Sequence, residues 1–351
     1  MRKGLVVWIL IVCMALSACG VPRAEESAGT RTFVDSCGRS VEVPEHITKA
    51  AVSGPLSQLV VFALAPELLC GISSDWSDDA LRYIPAQYQE LPVLGQLYGG
   101  TGDLNTETLL RCGAQVVIDV GEEKEGIADD LDRLQEQTGI PFVHIDCSLS
   151  TADETYLALG ELLDREEEAK TLADYCASVY DRTVKIADSV EKVRLLYLLG
   201  DFGTNVIAAG SYHAEVIDLL ADNLAVVETP SSKGIGNEVD MEQILLWNPD
   251  YILFAPDSVY SLVGDDPTWQ KVSAVSEGQY YEVPYGPYNW MGFPPSVQRL
   301  LGMIWMAKVL YPEACDYDLH TETVRYFELF YHVELSREQY DTLTANSLGT
   351  R

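Results

Sequence analysis

Positive charge is what this sequence has least of: 23 Lys and Arg stand against 54 Asp and Glu, a net charge of −31. A surface that acidic repels nucleic acid and gives polyanions no electrostatic help, which excludes a nucleic-acid partner. Histidine is scarce as well. His46, His144, His213, His320 and His332 are the whole set, and none is closely spaced with another, so the pattern offers no histidine–carboxylate cage for a bare metal ion. The eight cysteines contain no C-x-x-C and are spaced too widely for a small disulfide scaffold or a zinc site. Nucleotide loops are missing too. GGTGD (99–103) lacks the spacing of a phosphate loop, and GIGNEV (234–239) lacks the last glycine of a dinucleotide fingerprint. There is no G-x-S-x-G elbow, and Ser211 with His213 is a pairing that chance supplies. Acids are so abundant that paired carboxylates carry no information. The chain therefore reads as a non-enzyme, with an anchored extracytoplasmic hydrolase as the weaker alternative.

Long apolar runs are limited to one, GLVVWILIVCMALSA, which follows Arg2 and Lys3 and stops at Cys19. At about 15 residues it reaches about 22 Å as a helix, short of the roughly 30 Å bilayer core, so it reads as a secretory signal over residues 1–18. Its boundary, LSAC from Leu16 to Cys19, looks like the lipobox of bacterial lipoproteins, in which the cysteine sulfur takes a diacylglycerol; a plain signal peptide is the alternative. Two acyl chains anchor stably. The expected mature chain is tethered to the membrane outside the cytoplasm through Cys19, with the polar residues 19–31 as a flexible tether. Removing residues 1–18 takes away Arg2 and Lys3 and moves the net charge from −31 to −33. Six cysteines then remain: Cys37, Cys70, Cys112, Cys147, Cys176 and Cys315. An even number outside the cytoplasm permits disulfides, although most are expected as small buried apolar residues.

What is present in quantity is alternation. Short apolar runs at 50–53, 68–73, 115–120 and 142–146 interleave with helical patterns, and a second series follows at 193–200, 205–210, 250–256 and 279–284. This predicts an α/β protein of two lobes with mainly parallel sheets, the first over 32–149 and the second over 191–345. Residues 150–190 between them read as helix, broken into a short and a longer piece by DREEEA (164–169). No Gly/Ser/Pro-rich linker joins the lobes, so the connection is this stiff helix. The two halves also echo each other: LNTETLLRCGAQVVID (104–119) lies over VDMEQILLWNPDYILF (239–254) at a constant offset of 135. In each, Asn105 or Asp240 caps a helix, a glutamate follows two positions later, and a buried strand begins after a turn. Glu107 and Glu242 thus hold equivalent places, where each at least complements its helix dipole.

With these pieces in order, the chain resembles the class III substrate-binding lipoproteins of bacterial ABC importers, which serve iron-siderophore, haem and cobalamin uptake. The resemblance rests on the lipobox, on TFVDSCGRSVEVPEHITKAAVSGP (32–55) as the family's first strands and first cleft loop, on the two echoing segments, and on PPSVQRLLGMIWMAKVLYP (294–312) as its closing helix. It implies a monomer of two Rossmann-like lobes joined by one rigid helix, with a ligand in the cleft between them and no cofactor of its own. It further implies an ABC permease and its ATPase as partners, with Glu107 and Glu242 meeting arginines on the permease.

Ligand-facing residues are expected in loops at the carboxyl ends of strands. In the first lobe these are SGPLS (53–57), SSDWSD (73–78) and GQLYGGTGD (95–103); in the second, GSYHAE (210–215), SSKGIG (231–236) and YGPYNWMGFPPS (285–296). The last packs two tyrosines, a tryptophan, a methionine, a phenylalanine and three prolines into twelve residues without helical or strand periodicity, and reads as a rigid aromatic grip. The candidate ligand contacts are Tyr98, His213, Tyr288, Trp290 and Met291, with Trp76 and Tyr285 behind them. Trp247, Trp269 and Trp305 read as core or lobe surface. The loops are rich in Tyr and Trp and poor in Arg, which favours a bulky iron or cobalt chelate stacked on ring faces: a ferric siderophore, haem or a corrinoid. For haem, Tyr98 or His213 would be the axial ligand. The alternative is an oxyanion such as molybdate or tungstate, held by backbone donors from SSKGIG and GGTG.

Overall fold

The computed structural model describes residues 29–98, 103–256 and 258–348. The signal run, Cys19 and most of the tether lie outside these residues. A hairpin of β1 (Thr30–Val34) and β2 (Ser40–Pro44) opens the chain, paired antiparallel with Val34 opposite Ser40. The first lobe is built on three parallel strands in the order β3 (Ala50–Val52), β4 (Val116–Gly121) and β5 (Phe142–Asp146). Every residue of β3 and β4 is buried, as a parallel sheet covered on both faces requires. One face, with Val52, Ile118, Val143 and Ile145, packs on α1 (Pro55–Leu64) and α4 (Ala152–Leu163). The other, with Ala51, Val117 and Phe142, packs on α2 (Thr106–Cys112) and α3 (Ile127–Thr138).

The expected strand at 68–73 is not formed. Pro66 opens a single 3-10 turn over Pro66–Leu68, and only isolated bridges follow, Ala50 to Leu69 and Ile72 to Val93. Gly71 is needed there, because a Cβ would lie 2.8 Å from the Pro92 carbonyl oxygen.

The connector divides where the acidic cluster falls: α4 ends with Asp164 in the left-handed region at φ 55°, and α5 runs over Glu166–Ser189. The second lobe's sheet has the order β11 (Tyr280–Glu282), β10 (Tyr251–Phe254), β6 (Arg194–Leu199), β7 (Asn205–Val206) and β9 (Asn237–Glu238), with β8 (Asp222–Asn223) also beside β6. The pairs β10–β11, β10–β6 and β6–β8 are parallel, and the short strands β7 and β9 add antiparallel, β7 on β6 and β9 on β7 at the edge. Around this sheet lie α6 (Glu215–Leu220), α7 (Met241–Trp247), α8 (Tyr260–Val263) and α9 (Ser273–Ser276). The closing helix, α10 (Arg299–Leu310), begins four residues after Pro295, since the chain first turns with Arg299 N–H donating to the Ser296 carbonyl at 3.0 Å.

After α10 come α11 (Leu319–Phe330) and α12 (Arg337–Leu343), and α11 packs on the first lobe and the connector. Phe327 meets Tyr83 at 5.2 Å, and Phe330 meets Tyr156 at 6.0 Å and Tyr175 at 5.5 Å. One continuous apolar cluster consequently holds Val52, Ile118 and Tyr156 together with Leu195, Leu253 and Trp305. The connection between lobes is a packed core as well as a helix. Trp305 and Trp269 are buried within it or beside the second sheet, as their sequence setting predicts. Among the described residues no helix is long and apolar enough to cross a membrane.

Candidate functional site

Three second-lobe loops, 210–215, 231–236 and 285–296, converge where the sequence places them. Tyr197, Leu199, Ile207, His213, Gly234, Met291, Gly292 and Phe293 enclose a void of about 10 Å³, no larger than one water molecule. Gly234 is required by the closeness of the wall, since a Cβ there would fall 2.0 Å from the Phe293 ring and 3.2 Å from the His213 ring. His213 is 8% exposed, with Nδ1 3.4 Å from the Gly292 carbonyl. Burial lowers its pKa from the ordinary value, outweighing the backbone carbonyls of Gly292 and Ser232 that favour the proton.

Behind this wall lies Arg299, 2% exposed, the first residue of α10. Its guanidinium pairs with Glu215, donates to the Tyr212 carbonyl at 3.1 Å and stands over the Tyr212 ring at 4.6 Å. Burial opposes the charge, but Tyr212 and Glu215 outweigh burial and hold the arginine's pKa above its ordinary value. The Nε of Arg299 is buried without a partner, and the side chain reaches Gly292, where a Cβ would lie 3.0 Å from Cδ. The same cluster ties the lobes together. Tyr212 donates through its hydroxyl to the Cys147 carbonyl at 2.6 Å, and Ser296 to the Leu56 carbonyl at 3.2 Å.

The first lobe carries a buried polar row across its sheet. Ser53 follows β3, Asp119 lies on β4, and His144 is its partner on β5. Ser53 donates to Asp119 Oδ1, and His144 Nδ1 is 2.8 Å from Asp119 Oδ2. Next to this row Gln58 Oε1 accepts from the Ser73 N–H and Oγ, both at 2.8 Å, fixing the start of SSDWSD.

The aromatic candidates divide. Trp290 is fully buried, with its indole N–H donating to the Gly286 carbonyl at 3.0 Å, and Trp76 is 5% exposed, with its indole N–H donating to the Tyr88 carbonyl at 2.8 Å. Both hold their loops from within and present no ring face outward. Tyr288 is half-buried, and burial pushes its hydroxyl pKa up. Tyr98 donates to Asp130 at 2.8 Å beneath the Lys124 ammonium, which stands 4.4 Å from the ring centroid. Tyr285 is 36% exposed. Met291 and His213 line the void together. Four residues of this wall are not among the candidate contacts: Phe293 and Tyr212 fall inside the named loops without being singled out, and Tyr197 and Arg299 lie outside them. For Arg299 a signal exists, a lone charge opening the otherwise apolar RLLGMIWMA, but a search for arginine confined to loops passes over it.

Two lobes thus share one core, and the loops of the second lobe meet in a wall around His213. The chain belongs to the periplasmic binding protein family, whose model matches residues 57–285, and within it to the class that serves ABC importers. It is 25% identical over 353 residues to the molybdate-binding protein MolA of Haemophilus influenzae, covering 92% of this chain and 95% of that one. An ABC transporter solute-binding protein of Sulfurospirillum deleyianum has the same fold with a TM-score of 0.82, 27% identity, and 90% and 99% of the two chains covered. The molybdate-bound MolA structure matches with a TM-score of 0.66 at 22% identity, over 87% of this chain and 99% of that chain. The protein is thus an extracytoplasmic solute-binding protein of an ABC importer, working with a permease and its ATPase.

Proposed function

We propose that the solute is a compact oxyanion of the molybdate or tungstate kind, delivered to the permease without large closure of the lobes. The observation that carries this is the wall at His213. An imidazole and close-packed glycine backbone stand in front of a buried guanidinium, and the two tryptophans a flat chelate would stack on are enclosed. The molybdate-binding relative supports the same reading. An iron or cobalt chelate is the second reading, favoured by the partly exposed rings of Tyr285 and Phe293. Of the sequence candidates, His213 and Met291 belong to the proposed contact surface, Tyr98, Tyr285 and Tyr288 to its rim, and Trp76 and Trp290 to its support.

Titration calorimetry with sodium molybdate, on residues 20–351 purified without denaturation, should give one-to-one binding. His213→Ala should weaken it about tenfold to a hundredfold, the range of a hydrogen bond to a charged group. A Soret band, corrin absorbance or one equivalent of iron in the purified protein, with no molybdate binding, replaces the oxyanion by a chelate.

Glu107 and Glu242 are proposed as the permease contacts, and Cys19 as the lipid anchor, held at the membrane by acyl chains. Cys19→Ala should move the protein from the membrane fraction to the soluble extracytoplasmic fraction. Retention on membranes after carbonate washing refutes the anchor.

A further inference from the structure

We propose that Cys70 and Cys112 form a disulfide in the native protein, closing two of the three proposed first-lobe cleft loops into one covalent ring. Their Sγ atoms are 2.8 Å apart, within about 1 Å of the roughly 2.05 Å of a bond. The backbone on each side is fixed. Cys70 N–H donates to the Ala50 carbonyl beside β3 at 2.9 Å, and Cys112 is the last residue of α2, stopped by Gly113 in the left-handed region at φ 76°. Cys112 is held further by the Lys49 ammonium, 3.2 Å from its carbonyl oxygen. Both cysteines are half-buried and so within reach of an exchange partner, whereas Cys147, Cys176 and Cys315 are buried. No other pair of sulfurs makes a hydrogen-bond-length contact among the described residues. Burial pushes the Cys70 thiol up, so a standing thiolate is disfavoured there.

The bridge rests on the family's extracytoplasmic location and is independent of the solute's identity. Its formation is thiol–disulfide exchange with a disulfide-bearing oxidant of that compartment. One cysteine of the pair, as thiolate, attacks the oxidant's disulfide and forms a mixed disulfide, and the other cysteine then displaces the oxidant as a dithiol. Two thiol hydrogens leave this chain, and the oxidant gains two electrons and two protons. The ring spans the 42-residue separation of the two cysteines and contains both SSDWSD and the segment from Gly95 to Asp103. The bridge therefore ties down the base of two of the three first-lobe cleft loops.

The test uses the full chain, exported by its own signal and purified without reductant. Alkylation under denaturing conditions, digestion and mass spectrometry should find the Cys70 and Cys112 peptides joined, about 2 Da lighter than their sum. Cys37, Cys147, Cys176 and Cys315 should be alkylated. The joined protein should melt several degrees above both its reduced form and the Cys70→Ser/Cys112→Ser variant, and reductant should leave that variant's melting unchanged. Alkylation of both Cys70 and Cys112, a bridge mapped to any other pair, or identical melting with and without reductant overturns the proposal. Molybdate binding in those same samples reads the receptor function separately.

Discussion

Burial keeps the imidazole of His213 below its ordinary pKa, so the residue is neutral near pH 7, and this has two consequences of fixed sign. In the unfolded chain the imidazole takes a proton more readily than in the fold. His213 therefore subtracts stability as pH falls through about 6.5 and below, and is silent above it. An anion in the cleft reverses the preference, because negative charge favours the imidazolium. Molybdate binding should take up protons, with affinity rising from pH 7.5 to pH 5.5. His213→Gln should flatten that slope in calorimetry repeated in buffers of different ionisation enthalpy, and an unchanged slope removes His213 from the contact. His213 and Met291 are legible from sequence because they fall in loops after strands. Trp290 is misleading for a physical reason: an indole flanked by prolines and glycines reads as exposed loop, yet its N–H finds the Gly286 carbonyl and the ring becomes the loop's own core. Arg299 depends on Glu215 and Tyr212, 84 and 87 residues away, which no local pattern links to it.

The two helices that carry the echo are the most legible elements. Each of α2 and α7 is seven residues long, capped by a side chain that accepts from the third backbone N–H beyond it: Asn105 from Thr108 at 2.9 Å and Asp240 from Gln243 at 2.7 Å. Each ends in the left-handed region, at Gly113 and Asn248, before a buried strand. Glu107 and Glu242 stand exposed in the first turns, and Glu107 is paired only at the surface, with Arg111 at 2.6 Å. A surface pair this exposed contributes little to stability, so both carboxylates are free to exchange partners. Glu107→Arg with Glu242→Arg should leave molybdate affinity unchanged and reduce uptake at least about tenfold, the signature of like charges brought together at an interface. Uptake at the normal rate refutes the docking role. Less legible is the run at 68–73, since its apolar residues serve a close-packed bend and pair only at single bridges.

Across the whole molecule, the division into two lobes is visible in the sequence as two series of strands, whereas the shared core is not. Contacts that seal it join distant positions: the His332 ring lies 3.1 Å through Nε2 from the Phe62 carbonyl, 270 residues away, and Phe327 fills the space beside Tyr83. Periodicity reports which face of an element is buried and is silent about the partner. A shared core of this kind predicts small-angle scattering profiles for the free and loaded receptor that superimpose.

The return of α11 to the first lobe has a further consequence, in time. A chain emerging from the ribosome or crossing a membrane supplies the first lobe's strands early and the residues that cover α1 last, so the first lobe cannot complete its packing until the final helices arrive. Chain order thus predicts that the first lobe stays incompletely packed until the last helices have been made. A chain ending at Asp318 should stay sensitive to brief protease treatment throughout both lobes, where independent lobes would leave the first one resistant.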